Sequence, residues 1–212
     1  MPPPLPHHHT LPLPLHHEML IPPVGDQIPR RGNLFTNTVA RLLMLLTGWR
    51  FEGMLPNLPK FVLIVAPHTS NWDFPLGIMA MFGLGIRGTF LGKDTLFKAP
   101  FGFYFRWLGG VPVDRSSSNN VVDQTIAYFR TRDRIILALS PEGTRKKLPQ
   151  WRTGFYWVAV GAGVPIVPVA FDYPRKRVVL HPPQRMSGDI EKDLAHLRGC
   201  FSAAQAYRPE NY

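Results

Sequence analysis

Two short apolar runs, each breaking off into a polar stretch, constrain this chain most. Phe61-Val62-Leu63-Ile64-Val65-Ala66 leads into Pro67-His68-Thr69-Ser70-Asn71-Trp72-Asp73, and Ile135-Ile136-Leu137-Ala138-Leu139 leads into Ser140-Pro141-Glu142-Gly143-Thr144-Arg145. Their length and β-branched content are those of buried strands. Polar residues just past a buried strand sit at the carboxyl edge of a sheet, where α/β proteins place their chemistry. The expectation is a single α/β domain with a central, mostly parallel or mixed β-sheet flanked by helices. At 212 residues, 45% of them hydrophobic, the chain can bury the core that such a domain needs.

His68 and Asp73 are five residues apart and would point roughly 140° apart on one continuous helix. They can meet only across a turn. Ser70 or Asn71 is placed to cap a helix beginning near Trp72, leaving His68 in the turn and Asp73 in the first helical turn. The carboxylate can then fold back and hold the imidazole in one tautomer, which frees the other nitrogen to take a proton. In the second stretch, Gly143 lets backbone approach a ligand closely, and Arg145 offers a planar fork for phosphate oxygens. A His/Asp base and a Gly/Arg anion site, each after its own strand, suit attack by a hydroxyl on a phosphate-bearing substrate.

These stretches belong to a longer series. His68-x4-Asp73 is followed by Gly92-Lys93 with Pro100-Phe101-Gly102, then by Gly110-Val111-Pro112-Val113-Asp114-Arg115. Pro141-Glu142-Gly143-Thr144-Arg145 comes next with Thr153-Gly154, and the strand Val164-Pro165-Ile166-Val167-Pro168-Val169 closes the set. In this order the blocks resemble the glycerophosphate acyltransferase family, particularly its short lysophosphatidate acyltransferase branch, over roughly residues 48–180. The sequence departs from the family pattern at Pro67, where Asn is common, and at Ser140, where Phe often stands. The resemblance implies acyl transfer from a thioester, acyl-CoA or acyl-carrier protein, to the free hydroxyl of a lysophospholipid, foremost 1-acyl-glycerol 3-phosphate. Another lysolipid or hydroxylated lipid is the alternative acceptor. It implies His68 and Asp73 as the catalytic pair, and Gly143, Thr144 and Arg145 as a phosphate clamp assisted by Lys93 and Arg115. Glu142 is read as orienting Arg145 or another basic neighbour. No metal or cofactor is implied.

The net charge of +10 favours polyanionic partners: anionic lipid, an acidic carrier protein, coenzyme A or nucleic acid. A nucleic-acid-binding protein without catalysis is the competing class. Arg130, Arg132, Arg134 and Arg175-Lys176-Arg177 are scattered and form no recognition helix, and such a module has no use for His68 and Asp73. The expectation is therefore no nucleic-acid partner. Covalent hydrolase chemistry lacks a Gly-x-Ser-x-Gly elbow. The single cysteine, Cys200, permits no intrachain disulfide.

Residues 1–32 are dense in Pro and His and read as an extended, solvated tail, with Met19 as an internal candidate start. Residues 33–50 form an amphipathic pattern in which Phe35, Val39, Leu42, Leu46 and Trp49 recur at spacings of four and three. Two readings compete: a helix packed on the domain, or a helix lying in a membrane interface. In the second, which the lipid substrate favours, Arg30, Arg31, Arg41 and Arg50 meet phosphates and Trp49 sits at headgroup level. Association with an anionic membrane surface is the expectation, peripheral or monotopic on the cytoplasmic face. Residues 51–212 are expected to form the acyltransferase domain. The aromatic run from Phe97 to Leu108 reads as core before lipid groove. Val178-Leu180 reads as an edge strand, and Asp189 as the cap of a helix carrying Ile190, Leu194, Leu197, Phe201 and Ala204.

Overall fold

The computed structural model of this chain describes residues 18–113, 118–145 and 147–212. Among these residues the strands are β1 (Glu18–Met19), β2 (Arg50–Glu52), β3 (Lys60–Val65), β4 (Gly88–Lys93), β5 (Gly110–Val113), β6 (Ile135–Leu139), β7 (Ile166–Asp172) and β8 (Arg177–Leu180). They form one sheet in the order β1-β2-β8-β7-β3-β6-β4-β5. Every neighbouring pair is parallel except β1 with β2 and β7 with β8.

Side chains alternate across the central strands, and each face has its own core. Phe61 and Leu63 of β3 join Ile136 of β6 and Val167, Val169 and Phe171 of β7 on one face. Helices α1 (Leu34–Thr47) and α2 (Asp73–Leu84) cover it through Met44, Leu76, Ala80 and Leu84. Val62, Ile64, Ile135, Leu137 and Ile166 face the other way. There they meet Phe129 of α4 (Ser118–Arg130), Phe155, Tyr156 and Ala159 of α5 (Gly154–Ala162), and Leu197 of α6 (Ile190–Arg198). Burial on both faces explains why these strands read as unbroken apolar runs. Asp189 caps α6 as expected, its Oδ1 accepting from Lys192 N–H at 3.1 Å. The helix stops at Arg198, so Phe201 and Ala204 lie beyond it.

Three expectations are corrected. Residues 18–32 belong to the packed domain and not to a tail: β1 pairs with β2, Ile28 is fully buried, and Arg30 bridges to Ile86. The earlier part of the expected tail, residues 1–17, lies outside the described residues. Strand β8 is internal, because β2 pairs along its free side. The aromatic run is largely outside the core. Phe97 and Leu108 are buried, whereas Phe101, Phe103, Tyr104 and Trp107, in and beside the short helix α3 (Gly102–Trp107), are exposed.

Helix α1 begins with a reciprocal cap. Asn33 Oδ1 accepts from Thr36 N–H at 2.9 Å, and Thr36 Oγ1 accepts from Asn33 N–H at 3.1 Å. Its buried residues are Ala40 and Met44. The predicted apolar stripe faces away from the domain: Phe35 is 75% exposed, Leu42 51% and Leu46 73%. Trp49 departs from that stripe. It is buried edge-on against Tyr173 and so does not stand at headgroup level.

Candidate active site

Strand β3 delivers the chain to the carboxyl edge of the sheet, and α2 starts at Asp73. The turn between them is held by its own polar groups. Ser70 Oγ accepts from Trp72 N–H at 3.1 Å, and Asp73 Oδ2 accepts from Ser70 N–H at 2.9 Å. Ser70 or Asn71 was expected to cap the helix. Instead Trp72 occupies the cap position without a side-chain bond, and the first helical residue reaches backwards.

That reach brings the pair together, with His68 Nδ1 3.0 Å from Asp73 Oδ2. The Asp73 side chain is almost completely buried, while that of His68 keeps 23% of its surface. Tyr173, just past the end of β7, donates its hydroxyl to Asp73 Oδ1 at 2.7 Å. The carboxylate thus has partners on both oxygens, as a buried charge requires. Burial, then the Asp73 carboxylate, pushes the Tyr173 phenol well above its ordinary value, so it stays a donor. With Nδ1 facing Asp73, Nε2 is the ring nitrogen left to accept a proton.

Glu142 has a different place from the one expected. Both its oxygens accept from the backbone N–H of His68, at 3.0 and 3.1 Å, so the carboxylate addresses the His68 main chain and not Arg145. Only 6% of the residue is exposed. Desolvation raises its carboxyl to about 7, against the lowering effect of the His68 N–H. Gly143 makes this possible. Its φ of +64° turns the chain so that Glu142 is buried while Arg145 is exposed, and a Cβ there would come within 2.9 Å of the Arg152 side chain.

Thr144 and Arg145 line a cavity of about 470 Å³ together with Thr69, Ser70, Asn71 and Trp72 from the histidine turn. A third side, unforeseen, is the C-terminal stretch, with Tyr207, Arg208 and Asn211. Lys93 is exposed at the same sheet edge but does not line this cavity. Leu63, Ala138 and Phe90 are in register across β3, β6 and β4, so Lys93 stands level with Ala66 and two strand spacings away, about 10 Å. Arg115 lies outside the described residues. The expected convergence of three cations is thus represented here by Arg145.

A second, apolar groove of about 370 Å³ runs between α1, α2 and α3. It starts at Phe74 and Pro75, immediately after Asp73, and continues along Ile78 and Phe82 to Tyr104 and Trp107. Trp107 stacks on Phe82 with ring centroids 5.5 Å apart, and the Arg31 guanidinium lies 5.1 Å from both rings. Burial lowers the Arg31 pKa, and the Arg41 Nε–H donates to Gly83 O at 2.9 Å. Arg30 also donates to a domain carbonyl, that of Val24, and of the four arginines Arg30, Arg41 and Arg50 are exposed while Arg31 is half-buried.

Tyr173, Tyr207, Arg208 and Asn211 were not foreseen. Tyr173 carried a usable signal, because it is a polar aromatic directly after a strand that parallels β3. The C-terminal residues carried none.

A family model described as Acyltransferase matches residues 52–172. The 1-acyl-sn-glycerol-3-phosphate acyltransferase of Escherichia coli (strain K12) is 29% identical over 126 residues, covering 56% of this chain and 50% of that protein. The enzyme of the same name from Haemophilus influenzae is 27% identical over 146 residues, covering 64% and 59%. The chain spans about half the length of the curated relatives it matches. Among solved structures, the 1-acyl-sn-glycerophosphate (LPA) acyltransferase PlsC from Thermotoga maritima superposes with a TM-score of 0.57. At 22% identity, over 78% of this chain and 75% of that one, it shares the fold.

Proposed function

This chain belongs to the Acyltransferase family, and we propose that it transfers a fatty acyl group from an acyl thioester to the free hydroxyl of a lysophospholipid, 1-acyl-glycerol 3-phosphate foremost. The observation that carries this reading is the 3.0 Å approach of His68 Nδ1 to Asp73 Oδ2, with a polar cavity lined by the turn between the two residues and an apolar groove lined by the helix that Asp73 begins. A lysophospholipid has the same division: a charged headgroup, a hydroxyl beside it, and a long chain.

In the reaction, His68 Nε2 takes the hydroxyl proton as the oxygen attacks the thioester carbonyl carbon, and Asp73 stabilises the imidazolium that forms. The tetrahedral intermediate collapses to the ester with cleavage of the carbon–sulfur bond, and the thiolate leaves with the proton from His68. General-base assistance of this kind is worth about 10²–10⁴-fold, and positioning of the acceptor adds to it. Glu142 fixes the His68 backbone from behind. Arg145, Thr144 and the Gly143 turn take the phosphate, with Lys93 and Arg115 as the further cations that the family resemblance implies.

The exposed face of α1 supports attachment to a membrane surface. No helix among the described residues is long and apolar enough to cross a membrane. The outward face of α1 presents Leu34 and Leu45 besides the stripe, a contiguous apolar surface of the kind that marks an interaction site. With Arg30 and Arg50 exposed near its ends, this face suits an anionic bilayer surface on the cytoplasmic side. The apolar groove, lined by Phe35, Val39 and Leu43 of the same helix, would then open towards the lipid.

Purified protein assayed with acyl-CoA and acyl-carrier protein, against lysophosphatidate and monoacylglycerol of equal chain length, tests the reading. Transfer to lysophosphatidate that His68→Ala abolishes without unfolding is the expected result. A folded His68→Ala protein with near-normal turnover would remove the mechanism, and equal kcat/KM for the two acceptors would remove the phosphate.

A further inference from the structure

We propose that residues 207–211 complete the acceptor site and that Arg208 is a second cation acting with Arg145 on the phosphate monoester. The proposal rests on the reading of the polar cavity as the headgroup site.

The segment is anchored to the very groups that hold the His68–Asp73 pair. Gln205 O accepts from Tyr173 N–H at 3.0 Å, and the Tyr207 ring packs against Tyr173 with centroids 5.0 Å apart. Tyr173 is the residue that donates to Asp73. The Arg208 N–H donates to Thr69 Oγ1 at 3.1 Å, and Thr69, next to His68, is 98% buried. Ala206 is buried between these anchors. A stretch tied down at each of these points is fixed in place as a wall.

The chemistry of the walls selects an anion. Among the described residues that line the cavity are two guanidiniums, Arg145 and Arg208, and no carboxylate. The remaining polar groups, such as Ser70, Asn71 and Asn211, are neutral and able to donate hydrogen bonds. Two cations sharing a cavity without a counter-charge repel one another, and a doubly charged phosphate removes that cost while offering acceptors to both forks. The segment lies past the stretch matched by the family model, residues 52–172. It gives acceptor selectivity a determinant separate from the Gly143-Thr144-Arg145 turn.

A phosphate monoester is also present in coenzyme A, so the test uses both sources. Calorimetric titration of wild-type protein, Arg208→Gln and Arg208→Lys with glycerol 3-phosphate, glycerol and coenzyme A reads the assignment directly. Glycerol 3-phosphate should bind wild type, and glycerol should not bind over the same range. Arg208→Gln should weaken glycerol 3-phosphate binding by roughly tenfold to a hundredfold, the usual effect of losing one charge-assisted contact. Arg208→Lys should fall between, and coenzyme A affinity should stay within about twofold, since the acceptor phosphate is the ligand assigned. Arg208 is exposed, and an unchanged thermal midpoint for Arg208→Gln confirms an intact fold. Glycerol 3-phosphate binding that is absent from wild type, or equal in wild type and Arg208→Gln, overturns the proposal. So does a loss confined to coenzyme A. Absence of acyl transfer from every thioester would instead sink the acyltransferase reading, and the binding result would stand apart from it.

Discussion

Replacing Glu142 by glutamine removes a buried charge while keeping an oxygen that can accept from the His68 N–H. In the fold this carboxyl titrates near 7, raised from its ordinary 4.5 chiefly by desolvation. Between those values the folded protein holds a proton that the unfolded chain has released. Stability from this group is therefore complete below about pH 4.5 and is lost as pH rises through about 7. At about 1.4 kcal/mol per pH unit, the loss comes to roughly 3 kcal/mol by pH 8. Glu142→Gln should lack this slope and should be the more stable protein at pH 8. His181, which burial holds below the usual histidine value, has the opposite sign: its contribution is lost as pH falls below about 6.5. It is present in both proteins, so the difference between them isolates Glu142. Urea unfolding of both at about pH 5, 6, 7 and 8 measures the effect, and parallel loss of stability would refute the assignment. Glu142→Ala is a distinct perturbation. It leaves the His68 N–H without its acceptor, which should cost about 1–3 kcal/mol and lower kcat as the histidine turn loosens.

Tyr173→Phe deletes the 2.7 Å bond to Asp73 Oδ1 and should lower kcat by about tenfold to a hundredfold, in keeping with one hydrogen bond to a charged group. Steady-state kinetics showing unchanged kcat would mean that Ser70 and His68 suffice to hold Asp73. Leu42→Glu with Leu46→Glu should abolish sedimentation with anionic liposomes at an unaltered thermal midpoint, because both side chains are exposed in the fold. Undiminished liposome binding by that variant would assign α1 another role. Ile28→Ala should cost about 2–5 kcal/mol in urea unfolding, as for other fully buried aliphatics, whereas a residue in a solvated tail would cost almost nothing.

Chain-local chemistry carried the strands, the cap at Asp189 and the turn that separates His68 from Asp73, though not the cap of α2. Burial on both sheet faces writes itself into unbroken apolar runs, and the acidic cap at Asp189 acts within one turn of its own position. The order of blocks from His68 to Arg145 likewise identified the family from the sequence. What sequence did not reveal was which partner each side chain takes across the fold. Glu142 meets His68 over 74 residues, Tyr173 meets Asp73 over 100, and Arg208 meets Thr69 over 139. None of those pairs leaves a trace at a spacing of two, three or four. The same holds for α1, whose periodicity shows that one face is apolar but not which way it points. Docking on α2 chose the narrow strip of Ala40 and Met44 and left the wide apolar stripe outside. Periodicity is a property of the chain. Direction and partnership are set by the packing that only the assembled sheet and its helices create.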